Sequence, residues 1–346
     1  MQHFVIMKNR PITIKDIARR LNISVSTVSR ALRGSTDINP ETKKMVIDLA
    51  AELDYQPNSI ALSLVKRKTN IIGVVIPDIT IPFFASAIKG IQEVASAAGY
   101  NVMICQSSES EETEKNNVQA LLSSRVAGLI VSVSGHTKNF DHFKAIQRRG
   151  VPLVFFDRVC DDIEASKVLA DDYNGAFKAV EHLIRMGSKR IAHLAGPELL
   201  KLTQNRKRGY LDALKQHNLP VDPDLIVHVE FNRKQAYEAT NRLLSLPQPP
   251  DAIFAISDRV AIGAIMALKD KNIRIPEEVA VVGFGNEATS AILDPALTTV
   301  MQYPFEMGKI AAQLFLEQVD TEPETFVPKT EILNTELIIN KSSKRV

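Results

Sequence analysis

Short hydroxyl side chains and a single arginine are concentrated in one predicted helix near the start of the chain, over residues 24–32. The side chains of Ser26, Thr27 and Ser29 are small enough to let a helix approach a phosphate backbone closely. Arg30 can donate two parallel hydrogen bonds to guanine or contact a phosphate. These residue types and their spacing predict a nucleic-acid-binding face. The alternative is the polar surface of a generic three-helix bundle.

A second group of polar and aromatic residues follows apolar segments that are typical of buried strands. Phe83 and Phe84 lie just past the first such strand, where an aromatic face could stack on a sugar or a base; the alternative is core packing. Asp157 and Arg158 directly follow another strand, and charged side chains at a strand's carboxyl end can hydrogen-bond the hydroxyls of a ligand. Asp258 follows a further strand and is placed either to bind a ligand or to cap the next helix.

Motifs for reaction chemistry are absent from the sequence. It contains no GxSxG, GxxxxGK[ST] or HExxH motif, and Ala288 stands where the string that begins at Gly283 would need the last glycine of a GxGxxG loop. Cys105 and Cys160 belong to no CxxC or Cys/His cluster, which argues against a zinc site and a disulfide framework. The sequence therefore predicts a binding protein that uses no metal or cofactor.

The charge of the chain is divided unevenly. Residues 1–68 carry 12 Lys and Arg against 6 Asp and Glu, a net charge of +6, whereas the rest of the chain has a net charge of −4. A small basic module on a mildly acidic body suggests that the module binds a polyanion. No apolar run reaches the roughly 18–20 residues that cross a membrane, and the start of the chain lacks the apolar stretch of a signal peptide. A cytoplasmic protein is therefore expected.

Helix signals fill the first part of the chain. Ile17 and Leu21 fall on one face of a first helix, and Ser24 can cap a second helix after a short turn. A third helix begins at Pro40, which follows Asn39 as the capping residue. Two helices joined by a short turn predict a helix-turn-helix, whose second helix enters the major groove of DNA.

Beyond the basic stretch that ends at residue 68, short β-branched runs alternate with helical segments. This alternation implies parallel sheets built from right-handed βαβ units. The units are too numerous for one compact sheet, so we expect two lobes, with a break near 165–172 and a return to the first lobe near 298–330. The cleft between two such lobes is the expected ligand site. The predicted strands are 71–76, 101–105, 128–133, 152–155, 190–194, 225–229, 252–256 and 279–282.

The segment 57–64 connects the two regions. It is short, follows the third helix directly and carries apolar residues that the pattern leaves exposed, notably Leu64. A short helix with an apolar wedge suits insertion into a minor-groove step, which kinks the duplex. The alternative is an ordinary linker whose leucines cover a domain boundary.

Three strings in the first part of the chain are highly specific: IKDIA at 14–18, SVSTVSRAL at 24–32 and PNSIA at 57–61. They resemble the headpiece of the lactose/galactose-repressor (LacI/GalR-type) family of bacterial transcription regulators. The resemblance covers residues 11–340 in order, and it implies an all-α helix-turn-helix headpiece plus an α/β periplasmic-binding-protein-like core of two doubly wound parallel-sheet lobes. In the body it is carried by the strings at 72–78, 82–84, 125–130, 196–197, 206–210, 258–264 and 295–300.

The resemblance assigns DNA contacts residue by residue. It implies that Val25, Ser26 and Arg30 read bases, and that Ala61 and Leu64 of a hinge helix lie at the centre of the operator. Headpieces of this family act as dimers on near-palindromic sites, which fits two recognition helices in major grooves about 34 Å apart. The remaining predicted DNA-binding residues, which contact phosphate or support the packing, are Ser24, Thr27, Ser29, Thr42, Tyr55 and Asn58.

The resemblance also implies a small-molecule effector, a sugar or sugar derivative, between the two lobes. Arg206 matches the family's ligand-binding arginine. Gly285 departs from the family, because many members carry an acidic ligand contact there, so polar recognition from this loop must come from Asn286, from Glu287 or from the backbone. The predicted effector-binding residues are Asp78, Phe83, Phe84, Asp157, Arg158, Arg206, Asp258 and Asn286.

Together these patterns predict an effector-controlled, homodimeric DNA-binding repressor rather than an enzyme. Too few residues follow the core for the heptad tail of a coiled-coil tetramer. A solute-binding protein would need an export signal and no headpiece, and an enzyme would turn its ligand over. The predicted regions are an extension (1–10), a headpiece (11–56), a hinge helix and linker (57–68) and a core (69–340), with lobe one at about 69–168 plus 300–330 and lobe two at about 169–298.

Overall fold

The computed structural model describes residues 12–55 and 69–345. The chain divides into two compact units, Met1–Thr69 and Asn70–Val346, each with its own buried core. Within the described residues, none of the helices is both long enough and apolar enough to span a membrane.

The small unit is a bundle of three helices, and capping side chains satisfy free N–H groups where each helix begins. The carboxylate of Asp16 accepts the backbone N–H of Thr13 at 3.0 Å, and Ser24 Oγ accepts the N–H of Thr27, also at 3.0 Å. Asn39 caps the third helix in the same way. The helices are α1 (Ile14–Leu21), α2 (Val25–Leu32) and α3 (Pro40–Glu52).

Apolar residues on the inner faces of these helices form the core of the small unit. Asn22 adopts a φ of 51° at the end of α1, so the chain turns sharply into α2, and the predicted two-helix motif is present. Val25 stays on the outside of α2. The buried core residues are Ile17, Ala18, Val28, Ala31, Val46 and Ala50.

The first lobe of the large unit contains a parallel sheet. Its strands are β1 (Ile71–Ile76), β2 (Asn101–Gln106), β3 (Gly128–Val131), β4 (Leu153–Phe156), β5 (Ser166–Ala170) and β11 (Thr330–Leu333), and its helices are α4 (Pro82–Ala97), α5 (Glu111–Ser123), α6 (Asp141–Arg148) and α12 (Pro304–Asp320). The strand order is β11-β5-β4-β3-β1-β2. Helices α4 and α12 pack on one face and α5 and α6 on the other. Because both faces are covered, β1, β3 and β4 are nearly continuous apolar runs.

The second lobe repeats this architecture. Its strands are β6 (Ile191–Ala195), β7 (Ile226–His228), β8 (Ala252–Ala255), β9 (Ala280–Gly285), β10 (Thr298–Met301) and β12 (Glu336–Ile338), and its helices are α7 (Asp172–Arg185), α8 (Lys201–Gln216), α9 (Arg233–Leu244), α10 (Asp258–Asp270) and α11 (Ala288–Ile292). The strand order is β12-β10-β9-β8-β6-β7, with β12 antiparallel to β10. Helices α7 and α8 pack on one face and α9 and α10 on the other.

The chain crosses between the lobes three times, which differs from the predicted lobe boundaries. Strand β5 ends at Ala170, within the break predicted near 165–172, whereas β10 (Thr298–Met301) still belongs to the second lobe although the return was expected near 298–300. After β11 the chain crosses once more to form β12. The predicted strands omitted β5, β10, β11 and β12. Most residues of β11 and β12 are exposed or half-buried and β5 alternates buried with half-buried residues, so these three strands lack the continuous buried apolar run of the predicted ones.

Candidate functional site

A cavity of about 510 Å³, partly open to solvent, lies between the two lobes of the large unit. Its walls come from segments that follow the carboxyl ends of strands in both sheets, where open α/β sheets bind ligands. Five of the eight residues predicted to bind an effector line it together, namely Phe83, Phe84, Asp157, Arg158 and Arg206.

Arg206, on α8, reaches the cavity from a buried ion pair. Its Nε and Nη2 lie 2.8 and 2.7 Å from Asp172 Oδ1, and its Nη1 donates to the carbonyl of Ile256 at 2.6 Å. The guanidinium also lies 3.6 Å from the ring centroid of Phe284. Burial raises the pKa of Asp172 to about 6, although the Arg206 charge opposes this shift. The protein itself therefore fixes Arg206 in one orientation.

Asp157, directly after β4, brings a carboxylate to the cavity. Its φ of 59° is left-handed. Burial raises its pKa. The nearest cationic atom is Arg158 Nε, 3.9 Å from Asp157 Oδ2, and within the part of the chain that the structure describes this carboxylate accepts no hydrogen bond. A hydrogen-bond acceptor at the cavity wall is thus left open.

Arg158 brings a donor to the same wall. Its side chain is only 3% exposed, and Nη1 donates to both carboxylate oxygens of Glu109 at 2.8 and 2.9 Å. The Nε atom of Arg158 is buried and, although it lies 3.9 Å from Asp157 Oδ2, it has no hydrogen-bond partner among the described residues. A buried N–H group without a partner is costly, so this donor is available to a ligand.

Aromatic rings surround the Arg158 guanidinium. Its central carbon lies 4.6 Å from the ring centroid of Phe231 and 5.6 Å from that of Phe84. Phe83 and Phe84 contact each other edge to face, with centroids 5.3 Å apart. Phe84 is buried in the core of the first lobe and Phe83 packs against that core. The core packing that the sequence offered as one alternative is observed, and because the same rings line the cavity, stacking on a ligand stays a prediction.

The loop after β9 presents Glu287, and not Asn286, to the cavity. Asn286 donates its backbone N–H to Thr299 Oγ1 at 3.1 Å and does not line the cavity, which corrects the prediction. Burial raises the pKa of Glu287, and the neighbouring Asp258 raises it further. Gly285 lines the cavity with a φ of 141°, a conformation that L side chains rarely adopt.

The capping alternative for Asp258 is wrong, because Ser257 Oγ caps α10 by accepting the N–H of Val260 at 3.3 Å. Asp258 has a different structural role. It is fully buried, does not line the cavity, and accepts hydrogen bonds from Ser290 Oγ at 2.6 Å, Thr299 Oγ1 at 2.5 Å and the N–H of Glu287 at 2.8 Å. It therefore anchors the loop that carries Glu287. Asp78 does not line the cavity either, because its carboxylate pairs with Arg259.

Nine lining residues are outside the set of eight predicted effector-binding residues, although the sequence offered Glu287 as an alternative to Asn286. Arg259 and Ser257 flank Asp258 in sequence, so the strand-end rule that selected Asp258 could also have found them. Phe284, Gly285, Glu287 and Gln302 also lie at or just past the carboxyl ends of β9 and β10, whereas Ile81 and Leu202 lie at the starts of helices. The lining residues outside that set are Ile81, Leu202, Phe231, Ser257, Arg259, Phe284, Gly285, Glu287 and Gln302.

In the small unit, the predicted base-reading residues share the outer face of α2. Val25 is 41% exposed, and Ser26 Oγ lies 2.7 Å from Ser24 Oγ. Arg30 is also exposed, and its Nη1 lies 2.8 Å from Asp37 Oδ2.

The predicted phosphate and packing residues of the small unit are placed differently from one another. Thr27 Oγ1 lies 2.8 Å from the Oγ of the capping Ser24. Ser29 accepts a hydrogen bond from Arg33. Thr42 is half-buried on α3, and Tyr55 packs against the core, where burial raises its pKa. Asn58, Ala61 and Leu64 lie outside the described residues, and their predicted roles stay predictions.

The described residues contain no group of His, Cys, Asp and Glu that could hold a metal ion. Comparison with known proteins gives two family matches. Residues 13–58 match the bacterial regulatory proteins of the lacI family, and residues 69–339 match the periplasmic binding proteins and sugar binding domain of the LacI family. The chain belongs to the LacI family. It is therefore a DNA-binding transcription regulator controlled by a small-molecule effector.

Characterised and solved LacI-family relatives resemble the chain over nearly its whole length. The probable HTH-type transcriptional repressor ExuR of Bacillus subtilis is 35% identical, covering 97% of this chain and 99% of the relative. The HTH-type transcriptional repressor CytR of Escherichia coli is 32% identical, covering 96% of each.

Solved structures extend this similarity to three dimensions. A lac repressor dimer bound to operator and the anti-inducer ONPF has a TM-score of 0.85 at 25% identity, covering 96% of this chain and 99% of that one. A complex of the transcriptional regulator CelR with cellobiose has a TM-score of 0.74 at 27% identity, covering 96% of this chain and 100% of that one.

Proposed function

We propose that this LacI-family chain is a repressor that binds a near-palindromic operator as a homodimer, and that a sugar or sugar derivative binds in the cavity between the lobes. The relatives named above are repressors, one neighbouring structure is a dimer on an operator, and another holds cellobiose. Repression is a non-enzymatic role, so we propose that the chain releases its ligand unchanged and acts in the cytoplasm.

The observation that carries the effector proposal is the pair of unsatisfied groups after β4. Asp157 and Arg158 lie on the same cavity wall as a loose ion pair at 3.9 Å, and among the described residues the Asp157 carboxylate accepts no hydrogen bond and the buried Arg158 Nε–H donates none. A polyhydroxylated ligand supplies both a donor and an acceptor within one small group. The rings of Phe84 and Phe231 beside Arg158 give an apolar surface for the face of a sugar.

Further polar contacts come from the second lobe. Arg206 is oriented by Asp172 and retains N–H groups that its three protein contacts do not use. Glu287, held through its backbone by Asp258, adds a second carboxylate. We propose that Asp157, Arg158, Arg206 and Glu287 determine which hydroxyl arrangement binds.

For the small unit we propose that α2 lies in the major groove. Val25, Ser26 and Arg30 are exposed on one face of a helix whose start is capped by Ser24, which suits base contacts by side chains and phosphate contacts near the helix N-terminus. Thr27, Ser29, Thr42 and Tyr55 would contact phosphate or support that face. The proposed roles of Asn58, Ala61 and Leu64 rest on the resemblance alone.

The test begins with a selection of random duplex DNA by the purified full-length protein near physiological salt. Enrichment of a near-palindrome supports the operator proposal. Loss of that enrichment in the Arg30→Ala variant would indicate that α2 carries the side chains that contact the bases. The enriched duplex then serves to screen sugars, because an effector that changes operator affinity by some factor must have its own affinity changed by the operator by the same factor.

Variants of the cavity complete the test. Arg158→Ala and Glu287→Gln should lose the response to the active sugar while operator affinity without sugar stays unchanged. Arg149→Ala, which removes an exposed arginine after α6, is the matched control and should respond normally. A normal response in both cavity variants would contradict the effector assignment. Chemical change of the sugar during incubation would favour an enzyme.

A further inference from the structure

Arg30 and Asp37 form an ion pair on the surface of the small unit. Arg30 Nη1 lies 2.8 Å from Asp37 Oδ2, and the two side chains are 47% and 52% exposed. Ion pairs as exposed as this one contribute little to stability, because water and salt screen the charges. The pair therefore has little effect on folding, and a role in DNA binding can be tested without unfolding the unit.

The loop between α2 and α3 holds Asp37 in place. Ser35 Oγ donates a hydrogen bond to Asp37 Oδ1, and the backbone N–H of Ser35 donates to the carbonyl of Arg30 at 3.1 Å. The next residue, Ile38, packs against the core of the small unit. The hydrogen bond from Ser35 holds the pKa of Asp37 below its usual range, so this carboxylate stays charged near neutral pH.

The contact leaves one edge of the arginine open. Asp37 contacts Nη1, whereas Nε and Nη2 of Arg30 have no hydrogen-bond partner among the described residues. The Nε–Nη2 edge carries two parallel N–H donors, the geometry that pairs with two acceptors on guanine in the major groove. Asp37 thus holds the guanidinium at the end that a bidentate base contact does not need.

We propose that Asp37 is a positioning residue that orients Arg30 toward a base pair and thereby sets base discrimination. The proposal rests on the assignment of Arg30 as a base reader made above. An unrestrained arginine is long and flexible, so it contacts phosphates as well as bases, and phosphate contacts carry no sequence information. A side chain held in its binding orientation loses less conformational freedom when it reads a base.

The test compares DNA affinities of full-length variants. The probes are the duplex that the wild-type protein enriches from a random pool, a series in which each base pair of that duplex is replaced, and an unrelated duplex. Asp37→Asn keeps the size of the side chain and removes its charge. We expect the discrimination at the base pair read by Arg30 to fall about threefold to tenfold. Affinity for the unrelated duplex should rise, because one negative charge near DNA is gone.

Asp48→Asn is the matched control, since Asp48 is an exposed carboxylate on α3 of the same unit. It should raise affinity for the unrelated duplex and leave discrimination unchanged. In an Arg30→Ala background, Asp37→Asn should no longer alter discrimination, because the side chain that it orients is absent.

Three results would overturn the proposal. Wild-type discrimination in Asp37→Asn would show that the pair does not position Arg30. An equal loss in the wild-type and Arg30→Ala backgrounds would show that Asp37 acts through another group. Full discrimination in Arg30→Ala alone would remove Arg30 as a base reader, and this failure of the proposed function is distinguishable from the other two results.

Discussion

Asp78 of the first lobe and Arg259 of the second lobe lie 3.4 Å apart, Oδ2 to Nη1, beside the cavity that Arg259 lines. A further ion pair crosses between the lobes, joining Asp161 and Lys201 at 3.0 Å. Opposite charges on opposite lobes make these contacts only when the lobes are close together. The pairs therefore favour the closed cleft, and a ligand that binds the closed form gains from them.

The first prediction concerns Lys201, which lies outside the cavity. Lys201→Gln removes one cross-lobe ion pair, so effector affinity should fall about twofold to fivefold, as expected for an exposed pair worth up to about 1 kcal/mol. The loss should shrink as salt rises, because salt screens exposed charges. Calorimetric titration with the effector at low and high salt measures both effects. Lys215→Gln, an exposed lysine on the same helix, is the control, and equal affinities for the two variants would contradict the prediction.

A second prediction separates two consequences of replacing Arg206. Arg206→Ala abolishes the effector response, but it also leaves Asp172 as a buried carboxylate without its partner. Breaking a buried pair from one side costs about 3–5 kcal/mol, so the thermal stability of the second lobe should fall. The cost should grow from pH 5 to pH 8, because loss of the arginine raises the pKa of Asp172 above about 6 and the unfolded carboxyl is already ionised.

The double variant Arg206→Ala with Asp172→Asn should recover much of that stability and still fail to respond to the effector. Calorimetric unfolding across this pH range measures the stability, and operator release measures the response. Should the single variant unfold like the wild type at every pH, the ion pair would not be a stabilising unit.

The sequence predicted much of the architecture because buried parallel strands appear in it as short, continuous apolar runs. Strands β1, β3, β4, β8 and β9 are continuous apolar runs, covered on both faces, and their positions followed directly from the sequence. Strands β11 and β12 pair in their sheets through backbone hydrogen bonds while most of their side chains stay exposed or half-buried. The side-chain types of β11 and β12 do not indicate this backbone pairing, so the last crossing of the chain between the lobes could not be predicted.

The site was predictable where a strand end decides the position of a side chain. Asp157 and Arg158 follow β4 directly, and both line the cavity. The same rule selected Asp258, yet its carboxylate accepts three hydrogen bonds from Glu287, Ser290 and Thr299, which are distant from it in sequence. Gln302 also lines the cavity and directly follows β10, but the rule could not select it because β10 itself was not predicted.

The third prediction uses the buried His193 on β6. Its ring is stacked between Phe254 and Tyr210, with centroids 4.8 and 5.2 Å away, and burial lowers its pKa to about 3. In the unfolded chain, His193 takes up a proton as the pH falls below about 6.5, whereas in the folded chain it stays neutral until a much lower pH. The contribution of neutral His193 to the free energy of unfolding is therefore fully present above about pH 6.5 and is lost progressively as the pH falls toward 3.

His193→Phe keeps an aromatic ring and removes the titrating group. The slope of unfolding free energy against pH between 4 and 6 should fall by up to about 1.4 kcal/mol per pH unit relative to the wild type. Urea unfolding at several pH values provides the slopes. Parallel curves for the variant and the wild type would show that His193 does not contribute to acid sensitivity.

The last prediction concerns Arg345, at the end of the described residues. Arg345 donates hydrogen bonds to the carbonyls of Pro276 and Asp251 at 2.9 and 2.6 Å and to Ser188 Oγ at 3.2 Å. Arg345→Ala should therefore lower the unfolding free energy of the second lobe by about 1–3 kcal/mol, whereas Lys344→Ala, at an exposed neighbouring position, should leave it unchanged. Equal melting temperatures for the two variants would show that Arg345 does not stabilise this lobe.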